Sequence, residues 1–149
     1  MPAIKRYWED VKEGEALPEV RVEGLTRTDF VRYAGASGDF NPIHQDPAFA
    51  KAAGMGDVFA HGMLSMGFVA QSVTDWLGVG TVQKIGVRFA GLVRLGDVVT
   101  CHGKIVAKHH GKEDGRGQGV VDLELWAENQ KGEKVITGTA TAALLSREH

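Results

Sequence analysis

Residues 61 to about 77 carry the longest helical spacing of apolar side chains in this sequence, and four strand-like segments follow it. That order limits the fold more than any other property of the chain. Met63, Leu64, Met66, Phe68, Val69, Val73, Trp76 and Leu77 cover most of the helix surface. A helix apolar nearly all round is expected to lie buried in a core. Residues 81–92, 98–108, 119–128 and 133–145 are rich in Val, Ile, Thr and aromatics, a strand composition. Turn residues separate them at 94–97, 109–117 and 129–132. Earlier, Glu19-Val20-Arg21-Val22-Glu23 alternates polar and apolar and adds a half-buried strand. Helices grouped ahead of a run of strands predict an α+β fold. Its natural form is an antiparallel sheet of about five strands wrapped around the long central helix. No repeat or linker breaks the 149 residues, so one domain over 1–149 is expected.

Shorter helices precede the long one. Thr26-Arg27-Thr28-Asp29 reads as a capping box that opens a helix, and Gly38 ends it. Asp46-Pro47 is an N-cap followed by proline at the first helical position. Between them, Asp39 and His44 stand five positions apart. Asn41-Pro42 biases residue 41 toward an extended conformation, so the chain turns between the two groups. A carboxylate beside an imidazole is common equipment for acid–base chemistry near neutral pH. The same residues also make ordinary turns, because Asp and Asn side chains bond the local backbone. A calcium loop does not fit: the twelfth position counted from Asp39 as the first, which would need Glu, is Ala50.

The formal net charge is -2, and no basic patch is interleaved with aromatics, which argues against nucleic-acid binding. No run reaches the roughly 18 apolar residues needed to span a membrane. Residues 1–10 lack an apolar signal-peptide core. Cytoplasmic residence is the resulting expectation. The single cysteine, Cys101, falls in an apparent strand and reads as a small packing residue. His109-His110 falls in an apparent loop, where two adjacent histidines make a poor metal pair.

Tyr33 through Ala50, followed by Ala60-His61-Gly62-Met63, resembles the MaoC-like family of (R)-specific enoyl-thioester hydratases and (3R)-hydroxyacyl-thioester dehydratases. The wording is most similar to the mycobacterial-type (3R)-hydroxyacyl-carrier-protein dehydratase subunits. The resemblance implies a hot-dog fold over nearly the whole chain. It implies that Asp39 and His44 are the catalytic pair and that the Gly62 backbone N–H binds the thioester oxygen. It implies that Asn41 and Pro42 shape the active-site turn. It implies no metal and no cofactor, the substrate arriving on coenzyme A or an acyl carrier protein. It implies pairing of hot-dog domains, most simply as a homodimer, with a related subunit as the other arrangement. The sequence departs from the pattern after the central helix. Phe89-Ala90-Gly91-Leu92-Val93 and Leu95-Gly96-Asp97 lack two prolines usual there, which touches substrate choice more than chemistry.

The expected reaction is reversible hydration of trans-2-enoyl thioesters to (R)-3-hydroxyacyl thioesters. The alternatives are a hot-dog thioesterase and a non-catalytic acyl-binding subunit. Glycine at a helix start suits an oxyanion site, because the N–H and the helix dipole face developing negative charge. It also suits plain packing. His61, next to it, reads as a residue serving the free N–H groups of the helix start. Lys84, Arg88 and Arg94 are candidates for phosphates of coenzyme A or for an acidic carrier protein.

Overall fold

The computed structural model describes residues 6–110 and 118–147. Among these residues, three α-helices and five strands occur in the order β1 (Val20–Val22), α1 (Arg27–Ser37), α2 (Pro47–Ala52), α3 (Gly62–Leu77), β2 (Val82–Phe89), β3 (Val99–His110), β4 (Gln118–Glu128) and β5 (Lys134–Leu145). The strands form one sheet in the order β1-β3-β4-β5-β2, and every pairing is antiparallel. The α+β expectation of five strands around a central helix holds. α3 touches all five strands.

Local chemistry explains the ends of the elements. The Thr26 hydroxyl accepts from Asp29 N at 3.3 Å, and Asp29 Oδ2 accepts from Thr26 N at 2.8 Å. Those two bonds satisfy donors that a helix start leaves bare, and the bonds Asp29 Oδ2 accepts from Thr26 N and from the Thr26 hydroxyl hold the Asp29 carboxyl below the usual range. α1 ends where Gly38 takes φ 77° and donates its N–H to Ala34 O at 2.9 Å. A side chain there would sit in the left-handed region, which only glycine enters freely. Asp46 Oδ1 accepts from Ala48 N and Phe49 N to start α2.

The core lies between α3 and the concave face of the sheet. Ile105, Leu123, Leu125 and Leu144 from the sheet meet Val69, Val73 and Leu77 from the helix, all at most 2% exposed. Each such side chain contributes about 1.5–3 kcal/mol by leaving water. The helix itself departs from expectation. Only one face is fully buried, and Met63 on the other is 55% exposed, while Met66 and Phe68 are half-buried. α3 lies against the sheet on one side only, with short α1 beside it, so its second apolar side remains at the surface of the single chain.

Two further placements differ. β3 runs on through His109 and His110, which pair with Val120 and Gly119 rather than sitting in a loop. His109 Nε2 lies 3.4 Å from the Asp122 carboxylate, and the His110 ring lies against Trp8. The remainder of the expected loop, 111–117, lies outside the described residues. Cys101 is fully buried in β3, and burial pushes its thiol up to about 11. It is a packing residue, not a nucleophile. Among the described residues, no helix is long and apolar enough to cross a membrane.

Candidate active site

The turn between α1 and α2 is held by its own side chains. Ser37 Oγ accepts from Asp39 N at 3.2 Å, Asp39 Oδ1 from Asn41 N at 3.2 Å, and Asn41 Oδ1 from Ile43 N at 3.1 Å. Asn41 thereby caps a single 3-10 turn over Pro42–His44, in which Pro42 occupies the first position. The relay carries the chain from the end of α1 to His44 and leaves no slack around Asp39. Asn41 and Pro42 act on the geometry of the turn.

Three titratable side chains meet beside it. Asp39, His44 and His61 each present one oxygen or nitrogen within 4.8 Å of the other two. Three atoms so spaced leave a point within about 2.8 Å of all of them, close enough for a single water to meet each. The three differ in exposure. Asp39 is exposed, His44 is half-buried, and His61 is 2% exposed.

The backbone selects the tautomer of both rings. His44 Nδ1 lies 2.8 Å from Phe59 O. A carbonyl only accepts, so Nδ1 carries the hydrogen and neutral His44 keeps its lone pair on Nε2. His61 Nε2 lies 3.0 Å from the Asp39 carbonyl and by the same logic donates to it. The His44 and His61 rings stack, centroids 3.9 Å apart and planes at 26°. Tyr33 meets the other ring of that stack, 4.8 Å from His61. Burial first, and then the neighbouring His44, pull the His61 imidazole below its ordinary value, against an upward pull from the Asp39 carbonyl.

Carboxylate and imidazole are also the donor types that bind metal ions, and the three groups lie close enough together to share one.

Gly62 is the first residue of α3, and its neighbour His61 makes no side-chain cap there. The expectation that His61 serves the helix start is therefore corrected: its ring turns back to the Asp39 turn instead. The first N–H groups of a helix have no intrahelical acceptor, so the start of α3 presents donors beside the Asp39–His44 pair. A Cβ on Gly62 would lie 3.0 Å from two ring atoms of Phe89. The glycine thus allows Phe89 to pack closely against the helix start. Phe89 is 51% exposed and Met63, next to Gly62, is 55% exposed.

Residues 12–128 match the family model described as MaoC like domain. The chain belongs to the MaoC-like family. It is 34% identical over 99 residues to the (R)-specific enoyl-CoA hydratase of Rhodospirillum rubrum, covering 65% of this chain and 67% of that protein. It is 31% identical over 136 residues to the 3-oxo-4,17-pregnadiene-20-carboxyl-CoA hydratase beta subunit of Mycobacterium tuberculosis, covering 91% and 96%. Among solved structures, the (R)-hydratase from A. caviae involved in PHA biosynthesis superposes with a TM-score of 0.77 at 26% identity, over 92% of this chain and 98% of that one. Some relatives are far longer: the chain spans 6% of the fatty acid synthase subunit beta of Gibberella zeae. The hot-dog reading of this MaoC-like chain is therefore established.

The structure brings Asp39 and His44 together with His61, and Gly62 follows His61 directly at the start of α3. The missed participant is His61. Its position directly before Gly62 was the only signal in the sequence, and its contact with Asp39 depends on a spatial return of 22 residues. The candidate phosphate ligands do not converge. Lys84 and Arg88 lie exposed on β2, while Arg94 donates to Met55 O at 3.3 Å.

Proposed function

We propose that this chain catalyses the reversible addition of water to trans-2-enoyl thioesters, giving (R)-3-hydroxyacyl thioesters. One observation carries the reading: His44, its Nδ1 hydrogen tied to Phe59 O, keeps its lone pair on Nε2, and its ring reaches within 4.8 Å of an Asp39 carboxylate oxygen. A water there donates one hydrogen to Asp39 and the other to His44 Nε2. Its oxygen bonds to Cβ of the enoyl group while His44 takes the proton. The displaced π electrons become an enolate on the thioester oxygen, which faces Gly62 N–H and the helix dipole. His44 then returns its proton to Cα, and the thioester carbonyl reforms. Water has been added and the site is restored. Dehydration reverses each step. No step calls for a metal or a cofactor.

The acyl chain has a place to lie. A groove of about 380 Å³ between α1 and α3 is lined by Val22, Leu25, Tyr33, Ala36, Leu64 and Phe68, with Arg32 among its polar margins. Tyr33 joins it to the catalytic stack. Its volume lies in the range of small-molecule sites. Filling it with Leu64→Trp is expected to lower turnover of eight-carbon enoyl-CoA at least tenfold more than that of crotonyl-CoA. Equal loss on both would place the tail elsewhere. The thioester carrier is coenzyme A or an acyl carrier protein, and the expected residence, the cytoplasm, belongs to the same proposal.

The deciding test follows loss of the enoyl-thioester absorbance of crotonyl-CoA and longer enoyl-CoAs, with free thiol assayed in parallel. Wild-type protein is expected to consume the enoyl signal without releasing thiol. Asp39→Asn and His44→Ala are expected to remain folded and to lose about 10²–10⁴ in turnover, the usual share of an acid–base group. Thiol release would make the chain a thioesterase instead.

A further inference from the structure

We propose that His61 is a positioning residue of the active site, one that holds both halves of the Asp39–His44 pair through a single buried ring. The inference rests on the hydratase reading above and goes beyond it. His61 is 2% exposed, in a cleft whose other two titratable groups reach solvent. A buried imidazole must satisfy its nitrogens or lose stability. His61 satisfies only one: Nε2 donates to the Asp39 carbonyl, whereas Nδ1 is buried without a protein partner. An orphaned nitrogen next to a catalytic pair is a destabilising arrangement that packing alone does not require, since a phenyl ring would fill the same space.

The two contacts fall on different residues of the pair. The bond to the Asp39 carbonyl fixes the main chain that carries the Asp39 carboxylate. The stack at 3.9 Å fixes the plane of the His44 ring, whose rotation about its own anchor to Phe59 would otherwise swing Nε2 away from the water. Tyr33 packs edge-on against His61 and holds the stack closed. A misplacement of about 1 Å in such a pair costs on the order of 10²-fold in rate. Neutral His61 also offers a π face to the His44 imidazolium that forms when the base takes a proton.

Side-chain length separates the roles. The amide nitrogen of glutamine reaches the position of Nε2, and that of asparagine reaches the position of Nδ1. Turnover of the full chain with crotonyl-CoA, or the best longer enoyl-CoA, is compared for wild type, His61→Gln, His61→Asn and His61→Phe. His61→Asn and His61→Phe are expected to lose ten- to hundredfold in kcat with KM changed less than about threefold. His61→Gln is expected to recover most of that loss. Thermal midpoints identify any variant that fails to fold, and the polar Gln and Asn pair keeps the comparison if Phe is lost. Wild-type kcat in folded His61→Asn would overturn the proposal, as would equal losses in Asn and Gln or an effect confined to KM. An inactive wild type would instead overturn the hydratase reading.

Discussion

His61 sets a pH dependence that can be read in stability as well as rate. Its imidazole is held below the ordinary 6.5 chiefly by burial. The unfolded chain therefore takes up a proton near pH 6.5 that the folded chain refuses. Stability contributed by neutral His61 is complete above that pH. It falls as the pH drops below 6.5, until the lower folded value is passed. The thermal midpoint of wild type is expected to decline between pH 7.5 and 5, and His61→Gln to decline less. Parallel curves would mean that His61 is charged in the folded chain. Asp39 and His44 were legible in the sequence because a Gly-Asp-x-Asn-Pro-x-His run is itself a local geometry. His61 was not, since its partners come from residues 33, 39 and 44 and only folding sets them against it.

α1 connects stability to the site, because its last turn hands the chain to Asp39. Its two ends depend on single residues. Thr26→Ala removes the cap at the start and is expected to lower stability by about 1 kcal/mol. Gly38→Ala forces a side chain into the left-handed region at φ 77° and costs about 1–2 kcal/mol. Denaturant titration of both variants measures these losses. Their effects on turnover are expected to differ: Thr26 lies a full helix away from Asp39, whereas Gly38 precedes it directly. Gly38→Ala should therefore lose rate beyond its loss of stability, and equal rates would detach the helix end from the site. Both ends could be read from residue types alone, since capping boxes and C-terminal glycines act within four residues.

The molecule as a whole leaves apolar surface unfinished. Met63 and Phe89 flank the site at 55% and 51% exposure, and β2 is an edge strand with most of its residues exposed. An open edge beside exposed apolar side chains is a surface that proteins cover. We expect a second copy or a related chain to pair along β2. Light scattering of the purified chain is expected to give twice its 16.0 kDa when active alone. An active species at the single-chain mass would remove the partner. Unfinished surface of this kind explains the one large misreading of α3. Its apolar positions counted correctly, but hydropathy reports only that a side should be covered, not whether by this sheet or by another chain.

The sequence by itself determined the element order, the helix ends, the turn holding Asp39 and His44, and the family. The first three are local consequences of spacing, caps and turn residues, and interactions within a few residues are written directly in the chain; the family came from the resemblance of the motif around Asp39, His44 and Gly62. Tertiary structure alone decided which lone pair of His44 is free, because Phe59 O lies 15 residues away. It alone put His61 beneath His44 and ran β3 through His109 and His110. These depend on where the sheet and α3 come to rest. That outcome is set by the packing of the whole core, to which every segment contributes and which no segment encodes separately.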